Sequence, residues 1–242
     1  MNKVILCEGE TDAILLSYYL GKVAGWKYSR KGAENLNIQA DTSNQSVNWY
    51  KNNENFLLIC AVGGKDNFKN FFDKKIRFPL CQGAFGKIAI VTDRDDREIQ
   101  FIEATTKDIL CSFSDEVKVK SNQWISCPYH DSFGMDRAVS VLLVVIPTEH
   151  QGALETAMLD AISEDEYDRN IVVKTGDFAK KMRAEASKYI STDRLELKAH
   201  LSLTWAVQSP EKVFTAIDEQ IKSVRWEDSE TLNDCFSELA KI

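Results

Sequence analysis

The sequence predicts an α/β protein with a mainly parallel β-sheet that helices cover on both faces. Three short apolar runs each lead directly into a segment whose apolar residues recur at helical spacing. The runs are apolar throughout, and strands of this kind that alternate with helices are typical of parallel sheets buried between two helical layers. After residue 150 the strand signal almost disappears, which predicts a helical C-terminal appendage.

The first strand-helix unit lies at the start of the chain. Residues 3–7 are an apolar strand that ends at the turn Glu8-Gly9, and helical spacing follows at Leu16, Tyr19, Leu20 and Val23. The next stretch, residues 25–55, is rich in Asn, Ser, Lys and Gly. We therefore expect an insertion of about 25–55 between the first helix and the second strand.

Two further units and a fourth strand complete the predicted sheet. Residues 56–62 and 87–92 are apolar strands, and helical spacing follows each of them. Residues 139–146 form another strand that Pro147 stops, paired with a weaker extended stretch at residues 123–127 across a turn near Gly134. The alternation predicts one α/β domain over residues 1–150.

The remaining residues, 151–242, are expected to form helices packed on this domain. Apolar residues recur at helical spacing from Leu154 to Ile162, and again near the end of the chain from Leu232 to Leu239. Ser209 and Pro210 match an N-cap followed by proline at the first helical position. They predict a helix whose inward residues are Val213, Ile217 and Val224.

Composition narrows the class of protein. Of the 242 residues, 44% are hydrophobic, enough for a substantial core, and no apolar run approaches the roughly 18 residues that span a bilayer. The six cysteines are scattered without metal-ligand spacing, so we expect reduced thiols in the cytoplasm. A net charge of −7 argues against a general nucleic-acid coating protein but allows an enzyme that approaches phosphates through metal ions.

Acidic residues follow two of the predicted strands. Glu8 follows the first strand, and Asp93 and Asp95 follow the strand at residues 87–92. Because the carboxyl ends of parallel strands meet at one edge of a sheet, these side chains are expected to converge. Two carboxylates about 4 Å apart repel by roughly 4 kcal/mol at an effective dielectric constant near 20, so such a cluster calls for a cation. Carboxylate oxygens favour Mg²⁺.

Lys65 follows the second predicted strand, beside Gly63 and Gly64. Its ammonium could approach a phosphate or stabilise developing charge, which would make it catalytic. The alternative is that Lys65 is solvated and that the two glycines serve turn geometry alone.

Two motifs together resemble a known superfamily. The segment Glu8-Gly9-Glu10-Thr11-Asp12-Ala13 after the first strand, with Asp93-Arg94-Asp95 after a later one, resembles the Toprim superfamily of bacterial primases, type IA and II topoisomerases and OLD-type nucleases. This resemblance covers residues 1–150 and implies a Toprim-like fold.

A second match extends the resemblance over most of the chain. Residues 147–155 look like the Gly-x-Leu-Glu segment of short stand-alone Toprim-like proteins of uncharacterised function related to OLD nucleases. Their C-terminal region often carries a lysine and then a tryptophan, an alanine and a glutamine before a proline. The residues of this sequence that resemble that arrangement are Lys198, Trp205, Ala206, Gln208 and Pro210.

The resemblance implies a role for each matching residue. Glu8 would be a metal ligand or general acid/base, and Asp93 and Asp95 would be metal ligands. Asp12 would be a metal ligand, or it would support the metal ligands from the first turn of the helix. Glu149 and Glu155 would serve a second metal, although a glutamate in the first turn of a helix is also favoured by the helix dipole alone.

The sequence is compatible with three functions. The first is a nuclease, or related phosphodiester phosphotransfer enzyme, that acts on DNA or RNA with one or two Mg²⁺ ions, or Mn²⁺ in their place. The second is a non-catalytic metal-binding or regulatory module that works with a partner protein, and the third is nucleotidyl transfer. The sequence has no Gly-x-x-x-x-Gly-Lys-Ser/Thr loop, so an ATPase partner of the OLD kind would be a separate chain. No membrane partner is expected.

Overall fold

The computed structural model describes residues 2–212 and 215–242, and it confirms the mixed α/β class. Within these residues one seven-stranded sheet has the order β2-β3-β4-β1-β5-β7-β6. The four central strands β4, β1, β5 and β7 are parallel, whereas β2, β3 and β6 run antiparallel to their neighbours. In chain order the strands are β1 (Asn2–Cys7), β2 (Lys27–Ser29), β3 (Ser46–Asn52), β4 (Asn55–Ala61), β5 (Phe85–Asp93), β6 (Ile125–His130) and β7 (Asp136–Ile146).

Helices connect the strands and fill the last third of the chain. They are α1 (Glu10–Ala24), α2 (Phe68–Phe71), α3 (Arg77–Cys81), α4 (Ile99–Leu110), α5 (Leu154–Ile162), α6 (Glu166–Glu185), α7 (Asp193–Gln208), α8 (Ile217–Lys222) and α9 (Glu230–Phe236). A 3₁₀ turn (Lys65–Asn67) and a π turn (Phe72–Ile76) make the stretch from Lys65 to Cys81 nearly continuous helix. No helix in the described parts of the chain is both long and apolar enough to cross a membrane.

The sheet buries both of its faces, as the continuous apolar runs predict. Alternate residues of β1 enter separate cores: Ile5 and Cys7 belong to one, and Val4 and Leu6 to the other. Helix α1 and the helices of the C-terminal third cover the first face, whereas α2, α3 and α4 cover the second. Both layers therefore bring helix termini to the carboxyl ends of the central strands.

The C-terminal third supplies much of the first core. Phe236 of α9 is fully buried, and its ring centroid lies 5.1 Å from that of Tyr19 in α1. The indole Nε1 of Trp124 donates a hydrogen bond of 2.8 Å to the carbonyl of Glu238. The predicted packing of helices on the α/β part is thus present, while a domain boundary near residue 150 stays a prediction.

The predicted insertion extends the sheet at one edge. Residues 25–55 contain β2 and β3, which add two antiparallel strands beside β4. Their polar, partly exposed residues give no apolar run, so the sequence signal for these strands is weak. At the opposite edge, the extended stretch expected at residues 123–127 is observed as β6, paired with β7 as predicted but shifted toward the hairpin.

The segment after Pro210 differs from the prediction of one helix. Pro210–Lys212 is a 3₁₀ turn, and α8 begins only at Ile217. Ile217 is 42% exposed, so its predicted inward position is wrong, whereas Val224 packs partly buried against the first core. Val213 lies outside the described residues.

Candidate metal centre

Glu8 and Asp93 meet at the carboxyl ends of two adjacent parallel strands. Glu8 directly follows β1 and Asp93 ends β5, and both are buried. Glu8 Oε1 accepts hydrogen bonds from Thr92 Oγ1 at 2.6 Å and from the backbone N–H of Asp93 at 2.9 Å. The predicted convergence of these two carboxylates is therefore present, with one oxygen of Glu8 fixed by β5.

Asp12 and Glu155 complete a buried group that we call the acidic cluster: Glu8, Asp12, Asp93 and Glu155. Asp12 lies in the first turn of α1, where Oδ2 accepts the backbone N–H of Gly9 at 3.1 Å. Its other oxygen, Oδ1, is buried with no hydrogen-bond partner within the described residues. Glu155 lies in the first turn of α5, whose Leu154 N–H donates to Asp93 Oδ1 at 2.8 Å.

The electrostatics of the acidic cluster show a shortage of positive charge. Burial, followed by the charge of Glu8, raises the pKa of Asp12 from 3.8 to about 7, against the effect of its backbone hydrogen bonds. Burial also raises the pKa of Asp93 well above its usual value, and Glu8 and Asp12 add to this shift while Arg194 opposes it. The raised pKa values of Asp12 and Asp93 thus favour a bound proton, or a nearby cation, at these two carboxyl groups.

Three cationic side chains lie over the acidic cluster. Lys65 Nζ is 3.5 Å from Glu8 Oε1, Arg194 Nη2 donates to Asp93 Oδ2 at 3.1 Å, and Lys198 Nζ is 3.9 Å from Glu155 Oε1. The side chains of Arg194 and Lys198 are 49% and 53% exposed, so both can turn away into solvent. Sequence reasoning missed Arg194. The signal that could have found it is its position one helical turn before Lys198, on the same face of α7.

Asp95 lies on the rim of the acidic cluster and not within it. Its side chain is 36% exposed, and Oδ2 accepts a hydrogen bond from Lys65 Nζ at 2.6 Å. Its backbone adopts a left-handed φ of 52° and exchanges hydrogen bonds of 2.6 and 2.9 Å with Gly152. This bridge ties the loop after β5 to the start of α5, and it turns Asp95 toward Lys65.

The Gly63-Gly64 turn positions Lys65. The two glycines have φ of 84° and 115°, conformations that side chains disfavour, and their N–H groups both donate to the carbonyl of Glu8. Turn geometry therefore accounts for the glycine pair. The turn brings Lys65 Nζ to Asp95 and, at 2.7 Å, to the carbonyl of Asp93.

Glu149 is not brought to the acidic cluster. It is exposed and lines a separate depression, together with Thr148 and Cys235, where His150 Nε2 lies 3.0 Å from Asp160 Oδ2. The loop that carries Glu149 precedes α5, so the helix brings Glu155 inward while Glu149 stays outside. That Glu149 and Glu155 bind a second metal ion remains a prediction.

The donor set fits a hard cation, although the side chains do not enclose one in this arrangement. Within residues 2–212 and 215–242, no three His, Cys, Asp or Glu side chains converge closely enough to hold an ion together. Carboxylate oxygens are nevertheless ligands that Mg²⁺ accepts. One of them, Asp12 Oδ1, is buried without a hydrogen-bond partner among the described residues, at the edge where strand ends meet helix starts. Lys65 and Arg194 contact these oxygens directly.

Comparisons with known proteins show a fold and a family. The structure is similar to a crystal structure of a hypothetical protein from Pyrococcus horikoshii OT3, with a TM-score of 0.51 and 14% sequence identity over 98% of this chain and 99% of that one. A likeness at this identity shows the fold alone. No curated protein matches the chain. Residues 2–241 match a family described as protein of unknown function (DUF3226), and the chain therefore belongs to that family.

Proposed function

We propose that this chain is a Mg²⁺-dependent nuclease, or a related phosphodiester phosphotransfer enzyme, that acts on DNA or RNA. The observation that carries the proposal is the acidic cluster: four buried carboxylates at the carboxyl ends of β1 and β5 and the first turns of α1 and α5. The motif resemblance to the Toprim superfamily, at Glu8 to Asp12 and at Asp93 and Asp95, supports the same reading.

The charges around the acidic cluster favour a bound divalent ion over a network of ion pairs with a structural role alone. Carboxylates about 4 Å apart repel by roughly 4 kcal/mol at an effective dielectric constant near 20. Only Lys65 among the three cations is mostly shielded, with 22% of its side chain exposed. Exposed ion pairs contribute about 0–1 kcal/mol, so Arg194 and Lys198 compensate the buried charge weakly.

The side chains have distinct proposed parts. Glu8, Asp93 and Asp95 would hold one ion, and Asp12 and Glu155 would support it or hold a second. When bound, Mg²⁺ would activate water and stabilise the leaving oxygen of a phosphodiester. Mn²⁺ would serve in its place.

Lys65 and Arg194 would have to release their carboxylates for an ion to bind. The guanidinium of Arg194 is half-exposed and needs only a side-chain rotation to leave Asp93. Once released, both cations would face the substrate side of the site. There a phosphate oxygen is their natural acceptor, because Arg and Lys form charge-assisted hydrogen bonds with phosphate.

A second candidate function is a non-catalytic metal-binding or regulatory module that works with a partner protein, such as a separate ATPase. The observation that favours it is the set of existing ion pairs. Lys65 and Arg194 already neutralise Glu8 and Asp93 in part, as in a structural network. Nucleotidyl transfer would use the same carboxylates as cleavage, and incorporation of a labelled nucleotide would separate the two reactions.

The test combines metal binding with cleavage. MgCl₂ and MnCl₂ are titrated by calorimetry into the wild type, Asp93→Asn and the control Asp136→Asn. The same preparations are incubated with plasmid, single-stranded DNA and RNA. Asp136 is exposed at the start of β7, at the opposite end of the sheet, and its replacement makes the same change of charge.

Loss of both metal binding and cleavage in Asp93→Asn, with both kept in Asp136→Asn, is the expected result. Metal binding by the wild type without cleavage of any substrate would favour the partner-dependent module. An absence of metal binding by the wild type would refute the proposal.

A further inference from the structure

Phe101 is a large apolar residue that the fold leaves open near the acidic cluster. It is 55% exposed, although it lies in the first turn of α4, where its neighbour Ile102 is buried in the second core. Helix α4 follows β5 after a short loop, so its first turn lies at the carboxyl edge of the sheet. An isolated exposed aromatic residue is ordinary on a protein surface, and only its neighbours can give it a role.

Arg97 lies over the ring of Phe101. Its guanidinium carbon is 5.1 Å from the ring centroid, which is the geometry of a cation–π contact. Among the residues that the structure describes, this guanidinium has no ion-pair or hydrogen-bond partner. Arg97 therefore supports one side of the ring, and the exposed remainder of Phe101 is open to a second planar group.

A series of contacts connects this pair to the acidic cluster. Arg97 and Thr105 line the same small cleft as Lys65, whose Nζ lies 2.6 Å from Asp95 Oδ2 and also contacts the acidic cluster. Phe101 precedes Thr105 by one helical turn, and its carbonyl accepts a hydrogen bond of 2.9 Å from Thr105 Oγ1. Because α4 begins at the carboxyl edge, Phe101 is nearer than Thr105 to that edge.

Two tight turns keep Phe101 close to the loop that carries Asp95. The N–H of Arg97 donates to the carbonyl of Arg94 at 3.2 Å, and the N–H of Phe101 donates to that of Glu98 at 3.0 Å. Each hydrogen bond closes a turn of four residues, whose ends lie within about 7 Å of each other. The ring is thus held beside the site, and it does not lie at the end of an extended loop.

The chemistry of this position suits an unpaired nucleobase. Bases of any sequence stack on exposed aromatic rings, and an arginine can add a cation–π contribution. The cleft itself, about 30 Å³, is large enough only for a water molecule, so a base would lie on the open ring and would not enter the protein. Asp96 and Glu98 flank Arg97 and are exposed, so stacking, and not a net positive charge, is the attraction that this position offers.

We propose that Phe101 stacks an unpaired base of the nucleic acid whose phosphodiester lies at the acidic cluster, while Arg97 supports the ring. A base inside a duplex is already stacked between its neighbours and cannot cover Phe101. The substrate is therefore single-stranded, or frayed, beside the bond that is cleaved. This inference rests on the proposed function and adds the strandedness of its substrate. Phe101 binds no metal ion, so the two proposals can fail separately.

The test measures binding of an oligonucleotide. Fluorescence anisotropy follows a labelled oligothymidine of about 20 nucleotides, longer than typical single-strand sites, over a series of salt concentrations. The buffers contain EDTA or CaCl₂, since Ca²⁺ also takes carboxylate ligands. The variants are Phe101→Ala, Phe101→Tyr and Arg97→Gln. The matched controls are Phe133→Ala, a 78% exposed phenylalanine between β6 and β7, and Arg77→Gln, an exposed arginine at the start of α3.

Phe101→Ala should weaken binding roughly 5- to 150-fold, which is the loss expected for one stacked base. The slope of log K against log[salt] should stay the same, because the ring contacts no phosphate. Phe101→Tyr keeps the stacking surface and should bind nearly as well as the wild type. Arg97→Gln should weaken binding roughly 2- to 5-fold, because the ring loses its cation–π contact at an exposed site. Both side chains are exposed, so the thermal midpoints should stay close to that of the wild type.

The inference is overturned if the wild type binds the oligothymidine in neither buffer, if it binds a duplex of equal length more tightly, or if Phe133→Ala loses as much affinity as Phe101→Ala. Calorimetric titration with MgCl₂ separates this failure from that of the proposed function. Metal binding and cleavage by the wild type, with oligothymidine affinity unchanged in Phe101→Ala, would refute the stacking alone. Binding that depends on Phe101, by a chain that binds no metal, would support the stacking and refute the metal site.

Discussion

The Asp12→Asn substitution tests whether the acidic cluster is short of positive charge. In the metal-free protein, burial and the charge of Glu8 raise the pKa of Asp12 to about 7 from 3.8. A carboxyl whose pKa is higher in the folded state binds more protons when folded, so its contribution to stability is full at low pH and falls as the pH rises from about 4 to 7. Asparagine cannot lose a proton, so this pH-dependent loss should be absent in the variant.

The size of the expected change in stability follows from the pKa shift of Asp12. Each pKa unit corresponds to about 1.4 kcal/mol, which gives a ceiling of roughly 4 kcal/mol for Asp12. Between pH 5.5 and pH 8 the expected loss is about 2 kcal/mol, because part of the loss has occurred by pH 5.5. For a chain of this length, that amounts to roughly 4–8 °C in the thermal midpoint. The pKa of Asp93 is shifted in the same direction and partly by Asp12, so the variant should also lower that pKa.

Thermal and urea unfolding in EDTA at pH 5.5, 7 and 8 would measure this difference. Asp12→Asn should gain about 2 kcal/mol over the wild type as the pH rises, since its side-chain oxygen can still accept the Gly9 N–H. Asp165→Asn is the control, because Asp165 is also a helix-capping acid but is exposed. Parallel stability curves for the wild type and Asp12→Asn across this pH range would refute the electrostatic account.

Three further substitutions test the site and the fold. Arg194→Gln should raise Mg²⁺ affinity by up to about fivefold in calorimetry, because it removes a half-exposed cation that competes for Asp93; unchanged or weaker affinity would contradict that competition. Gly152→Ala should destabilise the protein by about 1–3 kcal/mol in urea unfolding, since φ is 149° and the added Cβ would lie 2.7 Å from Thr156 Oγ1; no loss would show that the loop adjusts freely. Phe236→Ala should cost about 3–5 kcal/mol in one cooperative transition, because the ring is fully buried in the core under the sheet; two separate transitions would indicate that the C-terminal helices fold apart.

The parts of the site that follow strands can be predicted, and the parts that depend on helix packing cannot. Glu8 and Asp93 are identifiable because each stands at the end of an apolar strand, and parallel pairing then brings them to one edge. The spacing predicts Asp95 beside Asp93, but its left-handed backbone turns it to the rim. Arg194 reaches Asp93 from 101 residues further along the chain, and no local pattern specifies that contact.

The central sheet is indicated by the amino-acid pattern, because short continuous apolar runs that alternate with helical segments are typical of parallel strands covered on both faces. The same pattern specifies which carboxylates stand at the strand ends. Which carboxylates are buried together depends on long-range packing. The helices α5 and α7 pack on the first core, and this packing brings Glu155 and Arg194 to the acidic cluster. Glu149 stays outside it. The edge strands β2 and β3 likewise depend on pairing with β4, since half-exposed polar strands gain their stability from neighbours and carry little periodic signal of their own.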